Sequence, residues 1–177
     1  MIIMKNTHIK QYIHQLQQAY YGGNWLDEDM EKKLKKVNEQ NAWIKPMGYV
    51  HSIAEVTSHL VVWRKELMER MKAAGPAKLT DESPDNWIPN EVLIKNGWVY
   101  LKKQLDDSQT ELIAFLEQQD DAFLESIWSG NITYEWFVIG LVEHDIYHLG
   151  QIGLIYKMVI HDTITQYEPG KSEASKS

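Results

Sequence analysis

YEWFVIGLVEHDIYHLGQIGLIYKMVI, from Tyr134 to Ile160, decides the fold of this chain. It contains no proline and is long enough for about seven helical turns. Its middle carries His144 and His148. Four residues apart in a helix, two imidazoles share one face, about 40° apart around the axis and about 6 Å apart along it. Phe137 and Leu141 extend that face on one side; Gln151, Ile152 and Ile155 extend it on the other. A stripe of this kind faces a core. Two histidines pointing into a core need partners, because an unpaired buried polar group costs roughly 1–3 kcal/mol. A metal ion satisfies both.

Composition narrows the chemistry. The 177 residues suit one domain with a sizeable core, expected over residues 1–167, with residues 168–177 as a disordered tail. There is no cysteine, so any metal must use histidine and carboxylate. A formal net charge of −7 argues against a nucleic-acid binder. No apolar run reaches the length of a membrane span, and the start MIIMKNTHIK lacks the features of a secretion signal. The expectation is a soluble cytoplasmic protein with no membrane and no nucleic-acid partner. Seven tryptophans and nine tyrosines point to a packed core or a lined pocket.

Outward from the long helix, three more helices are legible. Ile9, Ile13, Leu16, Ala19 and Tyr20 recur at helical spacing after the candidate caps Asn6 and Thr7, and Gly22-Gly23-Asn24 stops the run. Asp29 to Asn41 reads as a short charged surface helix, with Trp25 and Trp43 pinning its ends to the core. Ser52 to Glu55 fits a capping box that opens a helix running to about Ala74, and Gly75-Pro76 ends it. The segment 77–90 reads as a loop anchored by Trp87. A third long helix is expected from Asn90 or Glu91 to about Gln118, using Val92 and Val99 among its apolar positions and weakened at Gly97. Asp120 to Thr133 reads as a connection, with no strand-period segment of any length. Four long helices without strands make an all-α four-helix bundle, with a short extra helix after the first.

His59 is the natural third ligand, two turns into its helix among Val56, Leu60 and Trp63. Three imidazoles leave a fourth position open for water or substrate, the coordination of a catalytic zinc site rather than a closed structural one. A His-x-x-x-His pair by itself is common in solvated and core positions; its neighbours sharpen it. Asp145 is placed to orient an imidazole or a partner helix, Gln151 to bind substrate or the metal's water, and Tyr147 flanks the pair. His51 competes with His59 but lies about 12 Å away along a helix, so one ion cannot easily take both, and it reads as a loop or cap residue. His8, His14 and His161 read as surface. Glu66 is the one carboxylate on the His59 face, as a base or, more simply, as the partner of Arg70.

These segments resemble a known family. HSIAE at 51–55, with Thr57-Ser58-His59 and Trp63, is similar to one signature of the DinB-like superfamily. HDIYHLGQI at 144–152 is similar to the other. Trp25, Leu34 and the Pro46 segment resemble the YfiT-type branch of metal-dependent hydrolases. The resemblance implies an up-down-down-up four-helix bundle, often a homodimer. It implies a divalent metal, zinc or nickel, on His59, His144 and His148, and a small-molecule substrate or a low-molecular-weight thiol. The reaction so implied is hydrolysis or thiol transfer. Leu149 stands where the family often has a small residue. The competing expectation is a non-catalytic, metal-stabilised bundle acting in dimerisation, partner or ligand binding.

Overall fold

The computed structural model describes residues 6–46, 48, 51–73, 75–76 and 78–167. The tail expected at 168–177 lies outside them. Four long helices form the frame: α1 (His8–Tyr21), α3 (Ile53–Ala73), α5 (Trp98–Leu116) and α7 (Tyr134–Tyr167). Between them lie the short helices α2 (Met30–Leu34), α4 (Asn90–Leu93) and α6 (Asp121–Glu125), a 3-10 turn at Pro84–Trp87, and a small hairpin. The extra helix expected after α1 is therefore present and shorter than read, ending at Leu34 rather than Asn41.

Packing partners fix the arrangement. α3 packs on α5 and α7, and α1 on α7 and α5. Tyr12 meets Glu135 near the start of α7, whereas Gln109 and Asp106 of α5 reach Leu16 and Tyr20. So α1 runs parallel to α7 and antiparallel to α5. Arg64 of α3 meets Ser108 and Asp145. One core layer joins Ile53, Val56 and Leu60 to Trp98, Leu101 and Leu105, and to Ile152, Ile155 and Val159. The other joins Met68 and Met71 to Leu112, Leu116, Phe137 and Leu141. Along α3 the partners on α5 ascend and those on α7 descend, which gives up, down, down, up. The two apolar layers meet where α3 carries His59 and Arg64 and α7 carries His144 and Asp145. Polar chemistry thus sits at the waist of the bundle.

The caps explain the helix limits. Ser52 and Glu55 form the reciprocal box, Glu55 N–H donating to Ser52 Oγ at 3.1 Å and Ser52 N–H to Glu55 Oε2 at 3.1 Å. The start of α1 is different from expectation. The Thr7 side chain makes no cap; the amides of Thr7, His8 and Ile9 all donate to the carboxylate of Asp121, on α6. An anion at a helix N-terminus satisfies free amides and opposes the helix dipole, and a partner distant in sequence serves as well as a local one.

The third long helix is in fact two. Gly97, at φ +81°, separates α4 from α5, and a Cβ there would lie 2.9 Å from Glu39 Oε1. That carboxylate accepts the Trp98 N–H at 2.6 Å, so close approach and positive φ both require glycine. Val92 and Val99, read as core positions, are exposed, one on each side of the break. Trp25 does not pin the chain: it is 95% exposed, while Trp43 packs against the core as expected. Asp120 to Thr133 contains the hairpin of β1 (Ile127–Ser129) and β2 (Ile132–Thr133), too short to show an alternating pattern.

Candidate metal centre

The three histidines converge. His59 lies in the second turn of α3, and His144 and His148 lie one turn apart on α7. His59 Nε2 is 3.0 Å from His144 Nε2, and His148 Nε2 is 3.1 Å from the same atom. All three ligand nitrogens lie within 4.8 Å of one another. His59 and His148 are buried and His144 is partly exposed.

Hydrogen-bond partners decide which atoms face inward. His59 Nδ1 is 2.9 Å from the carbonyl oxygen of Asn86, which can only accept, so Nδ1 carries the proton and donates. His148 Nδ1 donates to Gln151 Oε1 at 2.7 Å. In the neutral rings both remaining Nε2 atoms are then bare lone pairs, and both point at His144 Nε2. That atom has at most one proton to share between them. The cluster is short of positive charge by construction, and a cation at its centre resolves the deficit. A proton is disfavoured there. Burial first, then the neighbouring histidines, push His144 down to about 3. Burial and then His59 push His148 down to about 4, and burial lowers His59 against the pull of the Asn86 carbonyl. Near neutral pH three unprotonated imidazoles remain, which is the form that binds metal. Zinc held tetrahedrally at 2.0–2.1 Å sets its nitrogens about 3.3 Å apart. The 3.0 and 3.1 Å separations require shifts of only a few tenths of an ångström. The residues fit a divalent ion.

A shell of side chains fixes the rings. Asn86 is buried; its Oδ1 accepts from Trp63 Nε1 at 2.9 Å and its Nδ2 donates to Asp81 O at 2.8 Å. The next residue, Trp87, is stacked between His59 and His51, with centroids 4.0 and 3.6 Å away and planes 8° apart in both cases. His51 therefore takes no part as a ligand; it clamps Trp87 and lies 3.5 Å from Glu55. The segment read as a loop is a lid-like strap over His59, pinned by Glu66, which accepts the Lys78 N–H and the Arg70 Nε–H, each at 2.8 Å.

The remaining sequence candidates fall into place. Glu66 is the partner of Arg70, as its simpler reading had it. Gln151 accepts a hydrogen bond from His148 Nδ1. Tyr147 flanks the pair as expected: it is 64% exposed and sets its ring edge-on to His148 at 5.0 Å. Asp145 is bound to the guanidinium of Arg64 at 2.6 Å, and both are fully buried. Burial pushes the Asp145 carboxyl up, and Arg64 pulls against it. Asp145 Oδ1, Arg64 Nε and His144 Nδ1 are buried without partners. Arg64, Asn86 and the stacking role of Trp87 were missed. Arg64 had a signal: it continues the i, i+4 line of Val56 and Leu60 toward Met68, where a charged residue is out of place. Asn86 had none, since its role depends on a turn that brings residues far apart in sequence together.

Residues 25–152 match the DinB superfamily. The chain belongs to that superfamily. A crystal structure described as the conserved protein of locus from Enterococcus faecalis superposes on this DinB-superfamily chain with a TM-score of 0.60, covering 91% of this chain and 99% of that one. At 15% identity the likeness speaks for the fold alone. No curated protein is detectably similar in sequence. No helix among the described residues is long and apolar enough to cross a membrane.

Proposed function

We propose that this DinB-superfamily protein is a metal-dependent enzyme whose divalent ion, zinc or nickel, is held by His59, His144 and His148. The single observation that carries the proposal is the meeting of three Nε2 atoms, two with their Nδ1 protons already committed. When bound, the ion supplies a +2 charge that three neutral imidazoles leave uncancelled, and so favours the deprotonated form of water or a thiol beside it.

The chain's own part is to hold the donors and shape the approach. Asn86 and Gln151 fix two rings by their Nδ1 protons. Trp87 and Trp63 wall the His59 side, and Tyr147 the His148 side. The carboxylates closest to a catalytic reading, Glu66 and Asp145, are both bound to arginines. With neither available as a base, the reaction favours a nucleophile that ionises readily by itself. A thiol, with an ordinary pKa near 8.5, needs far less help than water. We therefore place transfer of a low-molecular-weight thiol to a small electrophile ahead of hydrolysis, in a cytoplasmic setting where such thiols are reduced.

Elemental analysis of protein purified without a histidine tag, with zinc and nickel titration, tests the metal. The expected result is one ion per chain, lost in each of His59→Ala, His144→Ala and His148→Ala. Wild type that neither carries nor takes up an ion overturns the proposal. A thiol-dependence screen with electrophiles then separates transfer from hydrolysis. The burial of His59 and His148 favours one second reading, a structural ion in a non-catalytic bundle. It predicts bound metal, a lower melting temperature on its removal, and no turnover.

A further inference from the structure

His144, the partly exposed member of the cluster, lies on the seam where α3 and α7 run side by side. On α3 the turns after His59 carry Trp63, Glu66 and Arg70 on the same face. On α7 the turns before His144 carry Gly140 and Phe137, each within about 40° of it around the axis, with Trp136 about 40° beyond Gly140. Aromatic rings line both sides of the seam. Trp63 stands 6.4 Å from the His144 ring, and Arg70 Cζ lies 5.9 Å from the rings of Trp63 and Phe137 alike. Trp136 packs edge-on to Phe137 at 5.6 Å and is 61% exposed.

Gly140 interrupts this lining. It is partly buried, yet a Cβ there would meet nothing within 4 Å. Its backbone is helical, glycine weakens a helix interior, and alanine would fit without contact, so the fold does not require it. The result is a gap one turn from His144, floored by bare backbone and flanked by indoles. The α3 wall is held in place: Trp63 Nε1 donates to Asn86 Oδ1 at 2.9 Å, and Arg70 donates to Glu66 and to the Leu79 carbonyl, each at 2.8 Å. A narrow gap between aromatic walls favours a flat ring over a branched or charged body, because rings gain from offset or edge-on contact. Gly150 on the same helix also meets nothing, but it is exposed and about 120° from His144 around the axis.

We infer that this gap binds the planar aromatic part of the electrophile beside the histidine cluster, and that Gly140 sets the preference. The inference rests on the metal-dependent reading for its chemistry, and on the fold alone for ring binding. In that chemistry the thiol sulfur forms a bond to a carbon attached to the ring, the leaving group departs with its electron pair, and the thiol proton passes to solvent. Gly140 touches the ring and not the reacting atoms, so it is a specificity residue: any side chain there enters the space the ring takes.

Binding is read on the metal-free full chain with 4-nitrobenzyl alcohol, an unreactive ring that quenches indole emission. Saturable quenching is expected in wild type and in Gly150→Leu, and at least tenfold weaker binding in Gly140→Leu. Both leucines improve helix propensity alike, so folding does not separate the two variants. The Gly140 amide and the Trp63 indole N–H should shift together in NMR spectra of wild type as the probe is added. On zinc-loaded protein with cysteine as the thiol, Gly140→Leu should lower turnover of 4-nitrobenzyl chloride relative to chloroacetamide at least tenfold, with metal content unchanged. Wild type without saturable quenching at millimolar probe overturns the inference, and so does a Gly140→Leu that binds the ring as wild type does. Ring binding that needs Gly140 in a protein that takes up no zinc supports the aromatic site and overturns the metal reading instead.

Discussion

His144, His148 and His59 are held neutral by burial, and this sets how the metal-free protein responds to acid. Their folded-state pKa values lie below the ordinary 6.5, at about 3 for His144 and about 4 for His148. As pH falls below about 6.5 the unfolded chain takes up protons that the folded chain refuses. Stability is therefore complete above that pH and is lost progressively toward pH 3–4, by at most about 1.4 kcal/mol per unit for each histidine. Urea melts of metal-free protein between pH 8 and 4 should show this slope, and His144→Leu should flatten it. The same shift predicts that metal affinity falls off at a lower pH than it would on ordinary histidines, which zinc titrations across pH measure. Gln151→Leu should reduce zinc affinity about 10- to 100-fold by freeing the His148 ring, with little effect on helicity. Of these residues the sequence showed the three nitrogens and the right neighbours, because a four-residue spacing on one helix is a local property. It read Asp145 as a group that could orient a partner helix, which its bond to Arg64 does, and it did not see the bond between Gln151 and His148. Asp145 faces inward, and which group it touches is decided by another helix.

That other helix is α3, whose Arg64 crosses the bundle to Asp145 without help from solvent. Arg64→Leu leaves a buried carboxylate alone and should destabilise the protein by about 3–5 kcal/mol in chemical denaturation. Arg64→Leu combined with Asp145→Leu should recover much of that, since a buried pair gives little net stability over apolar packing. At the start of the same helix, Ser52→Ala should cost about 1–2 kcal/mol. It removes the acceptor for Glu55 N–H and the donor to Asn90 Oδ1. The capping box was readable from four consecutive residues. The break at Gly97 was visible only as a weakness. It coincides with the carboxylate of Glu39, more than fifty residues earlier, and beyond the break Val99 faces outward. Thr7 was a reasonable cap in sequence and lost to Asp121, which three successive amides share.

The bundle places its ionisable chemistry between two apolar layers, so a bound ion would join α3 to α7 at the waist. An ion that binds only the folded form should raise stability by about 4 kcal/mol when its free concentration is a thousand times Kd. Thermal unfolding with and without zinc, reversed by chelator, measures that gain, and it should vanish in His59→Ala. The architecture itself was legible from periodicity alone: four long amphipathic runs permit few other solutions. The hairpin and the folded strap over His59 were not, because their residues are ordered by what they lie against rather than by any repeat.

The stack of His51, Trp87 and His59 has a practical consequence. An indole pressed between two imidazoles senses any change in their charge or occupancy through its excited state. Loading nickel on His59 or protonating either ring should dim the emission of Trp87, and Trp87→Phe should subtract that component from the spectrum. The protein carries its own optical gauge of whether the centre is filled.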